Sequence, residues 1–249
     1  MNEIVEALIL KEQDYKENAV ILTVITKEYG RISLVGQGIR KMTSKNRASV
    51  FPYTKAEVQF DYKEGKTMFR LKTARTLSFY RFVHSDLNAG LACGVLAEVM
   101  DAFLPENSDY EFSAFCYDLF EEFCSFLEEQ HRADIVLAVA LAKLLESQGI
   151  GPVVDECVLC GNQSVASISV REGGFLCHEC AISHGAPMKE AADLRRFRLL
   201  NKAELRHIDI LESHMDSAMD DCTLLVEFIR MHAGLSVKSY ALFQQMFLV

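Results

Sequence analysis

The sequence has no apolar run of the roughly 18 to 20 residues that a membrane span needs. Its longest candidate, IVLAVALAKLL from Ile135, is interrupted by Lys143 and reads as a core helix. The amino-terminal MNEIVEALILKEQ has an acid at Glu3 and lacks both a basic n-region and a small-residue cleavage site, so no secretory signal is read and a cytoplasmic protein is expected. Also missing are a Walker A loop, a Gly-x-Ser-x-Gly elbow and a His-Glu-x-x-His helix. Gly36-x-Gly38 fails as a dinucleotide fingerprint because Lys41 stands where the third glycine belongs. Acidic clusters such as Glu121-Glu122 and Glu128-Glu129 read as solvated helix faces rather than a buried acid–base pair. Together these absences disfavour an enzyme. There is no internal repeat and no low-complexity linker.

What is present is a chain of 249 residues, half of them hydrophobic, which is enough for a sizeable core and excludes disorder. The net charge of −9 is unevenly spread. Residues 1–83 hold 15 Lys/Arg against 9 Asp/Glu, while residues 84–249 hold 11 against 26. Such a split suggests a polyanion-binding front end joined to an acidic remainder.

The first 80 residues read as strands. VEALIL, AVILTVIT, RISLVGQG, YTKAEVQFDY and TMFRLKTARTL are rich in β-branched and aromatic residues and are separated by turn-like segments. In the fourth, Ala56, Val58, Phe60 and Tyr62 fall on one face, with Lys55, Glu57, Gln59 and Asp61 on the other. Five short strands suit the OB-fold, a five-stranded barrel that binds oligonucleotides. From Ser85 the period becomes helical. Leu87, Leu91, Val95 and Val99 mark a helix before Pro105, Ser108 is placed to cap a second through Phe126, and Arg132 to Ser147 forms a third, closed by Gly149. KEAADLRRFRLL, DDCTLLVEFIRMHAG and KSYALFQQMF are further amphipathic segments. The expected plan is α+β and multidomain: an OB-fold barrel over 1–80, a helical domain beginning over 81–152, an inserted four-cysteine module over 153–187, and C-terminal helices over 188–249 packing with the helical domain.

Eight cysteines without an export signal favour metal or free thiols over disulfides. Cys93, Cys116, Cys124 and Cys222 lie in helical apolar patterns and read as small buried hydrophobes. Cys157, Cys160, Cys177 and Cys180 form Cys-x₂-Cys-x₁₆-Cys-x₂-Cys, the spacing of a zinc ribbon, with ASISV, the turn REGG and FLC as its hairpin. One structural Zn²⁺ is expected; iron is the alternative metal and two disulfides the alternative linkage. Four thiolates leave no open position for water or substrate, so such an ion stabilises but does not catalyse. His178 and Glu179 lack the following Pro-Cys-x-x-Cys of zinc deaminases.

GQGIRKMTSKNRASV, from Gly36 to Val50, places Arg40, Lys41, Lys45 and Arg47 within eight residues and contains no acid. Between two strands this predicts an exposed, mobile cationic arm able to reach phosphates. Arg31, Arg70, Lys72, Arg75 and Arg81 add charge to the same predicted barrel, and Tyr53, Tyr62 and Phe69 offer rings that would stack bases if they point outward. A solvated basic loop is the bland alternative.

Taken in order, DYKENAVILTVITKEYGRISLVGQGIRK, then FPYT, a helical middle ending in GIGP, the cysteine ribbon and a late GLSVKSYALF resemble the RecO family of bacterial DNA repair proteins over nearly the whole chain. The resemblance implies an OB-fold front, a helical domain and a zinc module with no enzymatic turnover, in a nucleoid-associated protein. It implies binding of single- and double-stranded DNA, annealing of complementary strands, and cooperation with RecR in loading RecA onto DNA coated by single-strand binding protein. It assigns Arg40 and Lys41, by their place after Gly38, to the DNA-facing arm, and the four ribbon cysteines to zinc. Arg31, Lys45, Arg47, Arg70 and Lys72 complete the expected DNA-binding set. The family also binds the acidic C-terminal tail of single-strand binding protein on its helical domain. Arg132 and Lys143, eleven residues apart and so about 20° apart around one helix, are the candidate cations for that tail. Arg195, Arg196, Arg198, Lys202 and Arg206 form a second basic cluster, read as another DNA or partner surface. The other classes kept open are a zinc-ribbon scaffold that binds only protein and a cysteine-dependent redox enzyme.

Overall fold

A computed structural model describes residues 2–41, 44–105 and 108–247. Met42 and Thr43, two residues of the basic arm, lie outside the described residues. The chain forms two compact units, Met1–Glu129 and Gln130–Val249.

The first unit is built on strands β1 (Asn2–Tyr15), β2 (Ala19–Thr26), β3 (Gly30–Gln37), β4 (Lys55–Asp61) and β5 (Met68–Ser78), closed into a barrel in the order β1-β2-β3-β5-β4. The five strands and their order are those of an OB-fold barrel, as the sequence implied. Strand β1 is long enough to pair with β4 through residues 2–8 and with β2 through residues 8–15, and a register shift between Ile9 and Lys11 bends it from one partner to the other. Strands β3 and β5 run parallel and close the barrel. Alternation sends Ala56, Val58 and Phe60 inward to meet Leu22, Val24, Leu34, Phe69 and Leu71, which leaves the charged face of β4 outside. Tyr62 lies just beyond β4 and packs on that core half-buried.

Helices α1 (Arg81–Ser85), α2 (Leu87–Phe103) and α3 (Tyr110–Glu128) complete the first unit. Asp86 caps α2 by accepting from the Ala89 amide at 2.9 Å. The cap of α3 is Asp109, which accepts from the Phe112 amide at 2.8 Å, and not Ser108, whose hydroxyl instead donates to the Pro105 carbonyl. Partly exposed polar contacts fasten these helices to the barrel. Lys55 Nζ donates to Glu121 of α3 at 2.7 Å and to Glu6 of β1 at 2.8 Å, and Arg31 donates to the Leu104 carbonyl at 2.9 Å.

The second unit is arranged around α4 (Ala133–Ser147), of which residues 133–142 are all buried. A helix apolar on every side belongs in the centre. It ends in a Schellman motif, with the Ile150 amide on the Leu145 carbonyl at 3.1 Å and Gly149 at φ +69°, the left-handed position that glycine occupies without strain. Around α4 stand α6 (Ala191–Lys202), α7 (Ile208–His214) and α8 (Met219–Ala233), followed by α9 (Lys238–Phe247). Buried Asp134 accepts from the Ala218 amide at 2.8 Å and from Ser217 Oγ at 3.0 Å, which joins the start of α4 to the approach to α8. The segment 81–152 is thus divided, with α1–α3 in the first unit and α4 in the second. No helix among the described residues is long and apolar enough to cross a membrane.

Candidate nucleic-acid interface and metal centre

The cysteine module begins with a knuckle. Cys157-Val-Leu-Cys160 turns back through Gly161 at φ +72°, whose amide donates to the Cys157 carbonyl at 2.8 Å. The hairpin β6 (Val165–Ser169) and β7 (Gly174–Cys177) then returns the chain. Cys177 ends β7 and caps the short helix α5 (His178–Ser183), which holds Cys180. The second pair therefore comes from a strand end and a helical turn rather than a second knuckle. All four sulfurs lie within 4.8 Å of one another, and Cys160 and Cys177 Sγ are 3.7 Å apart. A tetrahedron of sulfurs about 2.3 Å from a zinc ion has edges of about 3.8 Å, so a set drawn within 4.8 Å is of the size that could hold a metal ion. The separation is too long for a disulfide, and all eight cysteines are free thiols.

The electrostatics of the cluster agree with a cation site. Burial raises the Cys157 pKa, but amide hydrogen bonds from Cys177, Leu159 and Cys160 more than offset it and bring the thiol to about 6. The neighbouring Cys177 thiol and burial push Cys180 up to about 12. One thiolate forms readily and a second is opposed by the first, a repulsion that a divalent cation removes. His178 and Glu179 are exposed and stand outside the sulfur set. The four remaining cysteines are fully buried, and burial pushes Cys116 up to about 12.

Gly174 makes the hairpin possible. A Cβ there would stand 2.4 Å from the Val153 carbonyl oxygen and 2.7 Å from its nitrogen. That close approach lets Val153 exchange hydrogen bonds with Gly173 and Phe175, at 3.0 and 2.8 Å. The module is held to α6 as well. Asp155 accepts from Arg198 at 2.8 Å and Lys202 at 2.6 Å, and the Phe175 and Phe197 rings meet at 6.1 Å.

On the barrel, the two ends of the basic arm are tied down. Ile39 and Val50 at its ends are core residues, and a short 3₁₀ turn spans Arg47–Ser49. Asn46 bridges to β5 through the Lys72 carbonyl at 3.2 Å and the Ala74 amide at 3.2 Å, and Ser49 Oγ accepts from Thr76. Arg40, Lys41, Lys45 and Arg47 nevertheless stay exposed.

Ion pairing divides the seven expected DNA-binding cations. Arg31 faces Asp101 at 3.3 Å as well as the Leu104 carbonyl, and is committed to the fold. Arg40 pairs with Asp14 at 3.1 Å and Lys72 with Asp61 at 2.6 Å, both in partly exposed positions. Lys41, Lys45, Arg47 and Arg70 have no carboxylate within ion-pair distance among the described residues. Arg75 is held by Glu57 at 3.2 Å. The rings proposed for base stacking are not open: Phe69 is core, Tyr62 stacks on it at 5.4 Å, and burial pushes the Tyr53 phenol up to about 12. Sequence reasoning passed over Lys16 in the β1–β2 turn and Lys63 and Lys66 in the β4–β5 loop, all exposed. Those two loops are the ones OB-folds use on oligonucleotides, which was the available signal.

The structure does not place Arg132 and Lys143 on one helical stripe. Arg132 is the N-cap of α4, with extended backbone, so helical rotation does not set its direction. It contacts Asp134 at 3.4 Å, and Lys143 pairs with Glu146 at 2.6 Å. The second basic cluster is largely neutralised too. Arg196 bridges Asp193 and buried Asp221, Arg198 and Lys202 share Asp155, and Arg206 meets Glu204, which leaves Arg195 exposed.

Comparison with known proteins shows the family. Residues 1–80 match the family described as Recombination protein O N terminal, and residues 84–241 match Recombination protein O C terminal. Among curated relatives named DNA repair protein RecO, that of Oceanobacillus iheyensis is 25% identical over 248 residues, covering 99% of this chain and 94% of its own. That of Bacillus subtilis is 25% identical over 246 residues, covering 97% and 93%. That of Clostridium perfringens is 29% identical over 206 residues, covering 80% and 79%.

Proposed function

The chain belongs to the RecO family of DNA repair proteins, and from that premise we propose that it is a non-enzymatic, DNA-binding recombination mediator. The barrel and its arm grip backbone phosphates of single- and double-stranded DNA without reading sequence, and complementary strands held this way anneal. With RecR, the protein helps RecA load onto DNA coated by single-strand binding protein. One observation carries the reading: Lys41, Lys45, Arg47 and Arg70 stand exposed with no carboxylate within ion-pair distance among the described residues, on the arm and on the strand to which it is tied, in a chain of net charge −9. Cations left unneutralised in an acidic protein suit an external polyanion, and release of its counterions supplies the affinity.

The ion in the cysteine module is taken to be Zn²⁺, held by Cys157, Cys160, Cys177 and Cys180. When bound it supplies cross-linking and no chemistry, because four thiolates close its coordination. The protein's own contribution there is the knuckle, the hairpin and the contacts of Asp155 and Phe175 with α6, which make the module part of a rigid second unit for protein partners. Arg132 and Lys143 gain no support as the site for the single-strand binding protein tail, since both are engaged by carboxylates of their own unit.

The test is fluorescence anisotropy of a labelled single strand and of its duplex, titrated with the protein at 50 to 300 mM salt. Binding that weakens steeply with salt is expected. Wild-type protein that binds neither DNA at 50 mM refutes the reading and favours a protein-only zinc scaffold.

A further inference from the structure

Three aromatic rings crowd together where the basic arm ends. Phe51 follows the arm directly, Phe79 follows β5 directly, and His84 lies on α1. The Phe79 ring stacks on His84 with centroids 4.2 Å apart and planes 19° apart, and Phe51 meets Phe79 edge-on at 6.4 Å and 81°. Burial lowers the His84 pKa, with the Glu128 carboxylate opposing it, which favours the uncharged ring beneath Phe79. Core phenylalanines of this unit such as Phe60, Phe120 and Phe123 are fully buried, yet Phe51 is 41% and Phe79 37% exposed. Leaving two adjacent rings in water forfeits apolar burial that the fold obtains elsewhere.

The surroundings identify the occupant. Phe51 lines a pocket of about 240 Å³ together with Ile39, Arg40, Arg47 and Glu12. Arg40, Lys41, Lys45 and Arg47 outnumber the acids near this edge, which are Glu12, Asp14 and, beside His84, Glu128; Asp14 is already taken by Arg40 and Glu128 accepts from the Phe82 amide. A ligand that fits must bring negative charge to the arm and a flat aromatic face to Phe51 and Phe79 within a few ångströms of each other. A single nucleic-acid strand has this pattern, with a phosphate and an unpaired base in every residue. In a duplex the base faces are covered by their neighbours, and the phosphates and groove edges it still presents offer no flat face to stack on.

We propose that Phe51 and Phe79 form a base-stacking platform that receives unpaired nucleobases of single-stranded DNA while the adjoining arm holds the phosphates, making this edge of the barrel the determinant of strand preference. The inference rests on the DNA-binding reading above and deepens it. The platform is sequence-tolerant, since every base has a π-face. It also differs in kind from the arm: stacking releases no counterions, so it adds affinity without adding salt dependence.

The test uses the full chain with Phe51→Leu and Phe79→Leu, which keep apolar volume and remove the flat ring, and Phe51→Tyr, which restores it. Affinities are measured for a labelled single strand and for its duplex, and a strand carrying 2-aminopurine reports stacking through its fluorescence. Base–aromatic stacking is worth about 1–3 kcal/mol per base, which is about 5- to 150-fold in affinity. Each leucine variant is therefore expected to weaken single-strand binding by about tenfold, to leave duplex binding within about twofold, and to keep the salt slope. Phe51→Tyr is expected to bind like wild type, and 2-aminopurine to be quenched by wild type but not by Phe51→Leu. Unchanged single-strand affinity in both leucine variants overturns the platform. Equal loss for single strand and duplex also overturns it, by making Phe51 a prop for the arm. Because wild-type binding is measured beside them, failure of the platform is distinguishable from failure of DNA binding itself.

Discussion

Charge alone does not make a DNA contact, and the difference between Lys45 and Arg31 tests this directly. Both are barrel cations of the expected DNA-binding set. Lys45 is exposed on the arm without a carboxylate partner, whereas the Arg31 side chain is 22% exposed, donates to the Leu104 carbonyl and stands 3.3 Å from the Asp101 carboxylate. Each phosphate neutralised on a single strand contributes about 0.7 to the slope of log affinity against log salt. Lys45→Ala should flatten that slope by about 0.7, and the combined Lys41→Ala, Lys45→Ala, Arg47→Ala, Arg70→Ala variant by about 2.8. Over the fourfold change from 50 to 200 mM salt, a slope of that size corresponds to about a 50-fold change in affinity, which the combined variant should lose. Arg31→Gln should leave the slope within about 0.2 of wild type and lower the melting temperature, because it unpairs Asp101 and frees a helix-end carbonyl. Anisotropy titrations at five salt concentrations and a melt of each variant suffice. The reasoning is refuted if Arg31→Gln flattens the slope as much as Lys45→Ala does, since ion pairing would then say nothing about which cations meet phosphate.

The metal centre should yield about one zinc per chain by elemental analysis, and Cys157→Ser or a strong chelator should remove it and melt the second unit early, with visible iron–thiolate absorbance as the contrary result. Gly174→Ala should destabilise that unit by at least about 2 kcal/mol in denaturant melts, because its Cβ meets the Val153 backbone; a melt like that of wild type would show that the hairpin yields. Lys55→Met should cost about 1 kcal/mol in the same assay by removing the ammonium that Glu6 and Glu121 share, a modest figure because both carboxylates reach solvent. The pH dependence follows from the same pair. The Lys55 ammonium holds the Glu6 carboxyl below its ordinary value of 4.5, so its stabilisation is present above that value and lost as pH falls through the lower folded one. Acid melts of wild type should show that loss and Lys55→Met should not.

Much of the protein was legible in one dimension because the patterns concerned are local. The period-2 alternation of Ala56, Val58 and Phe60 fixes which face of β4 turns inward, and the cysteine spacing fixes which four sulfurs a knuckle and a hairpin bring together. The charge split between residues 1–83 and 84–249 needs no coordinates either. What the sequence could not fix is which opposite charge each cation meets, because the partners of Arg31, Lys72 and Arg198 are 70, 11 and 43 positions away and come together only by packing. Such pairing turned Arg196, Arg198 and Lys202 into bracing for α6, and left Lys41, Lys45, Arg47 and Arg70 without an ion pair on the barrel. The exposure of Phe51 and Phe79 was decided the same way. Their ring type reads as core, and only the closure of the barrel brought the ends of the arm and of β5 together at its surface.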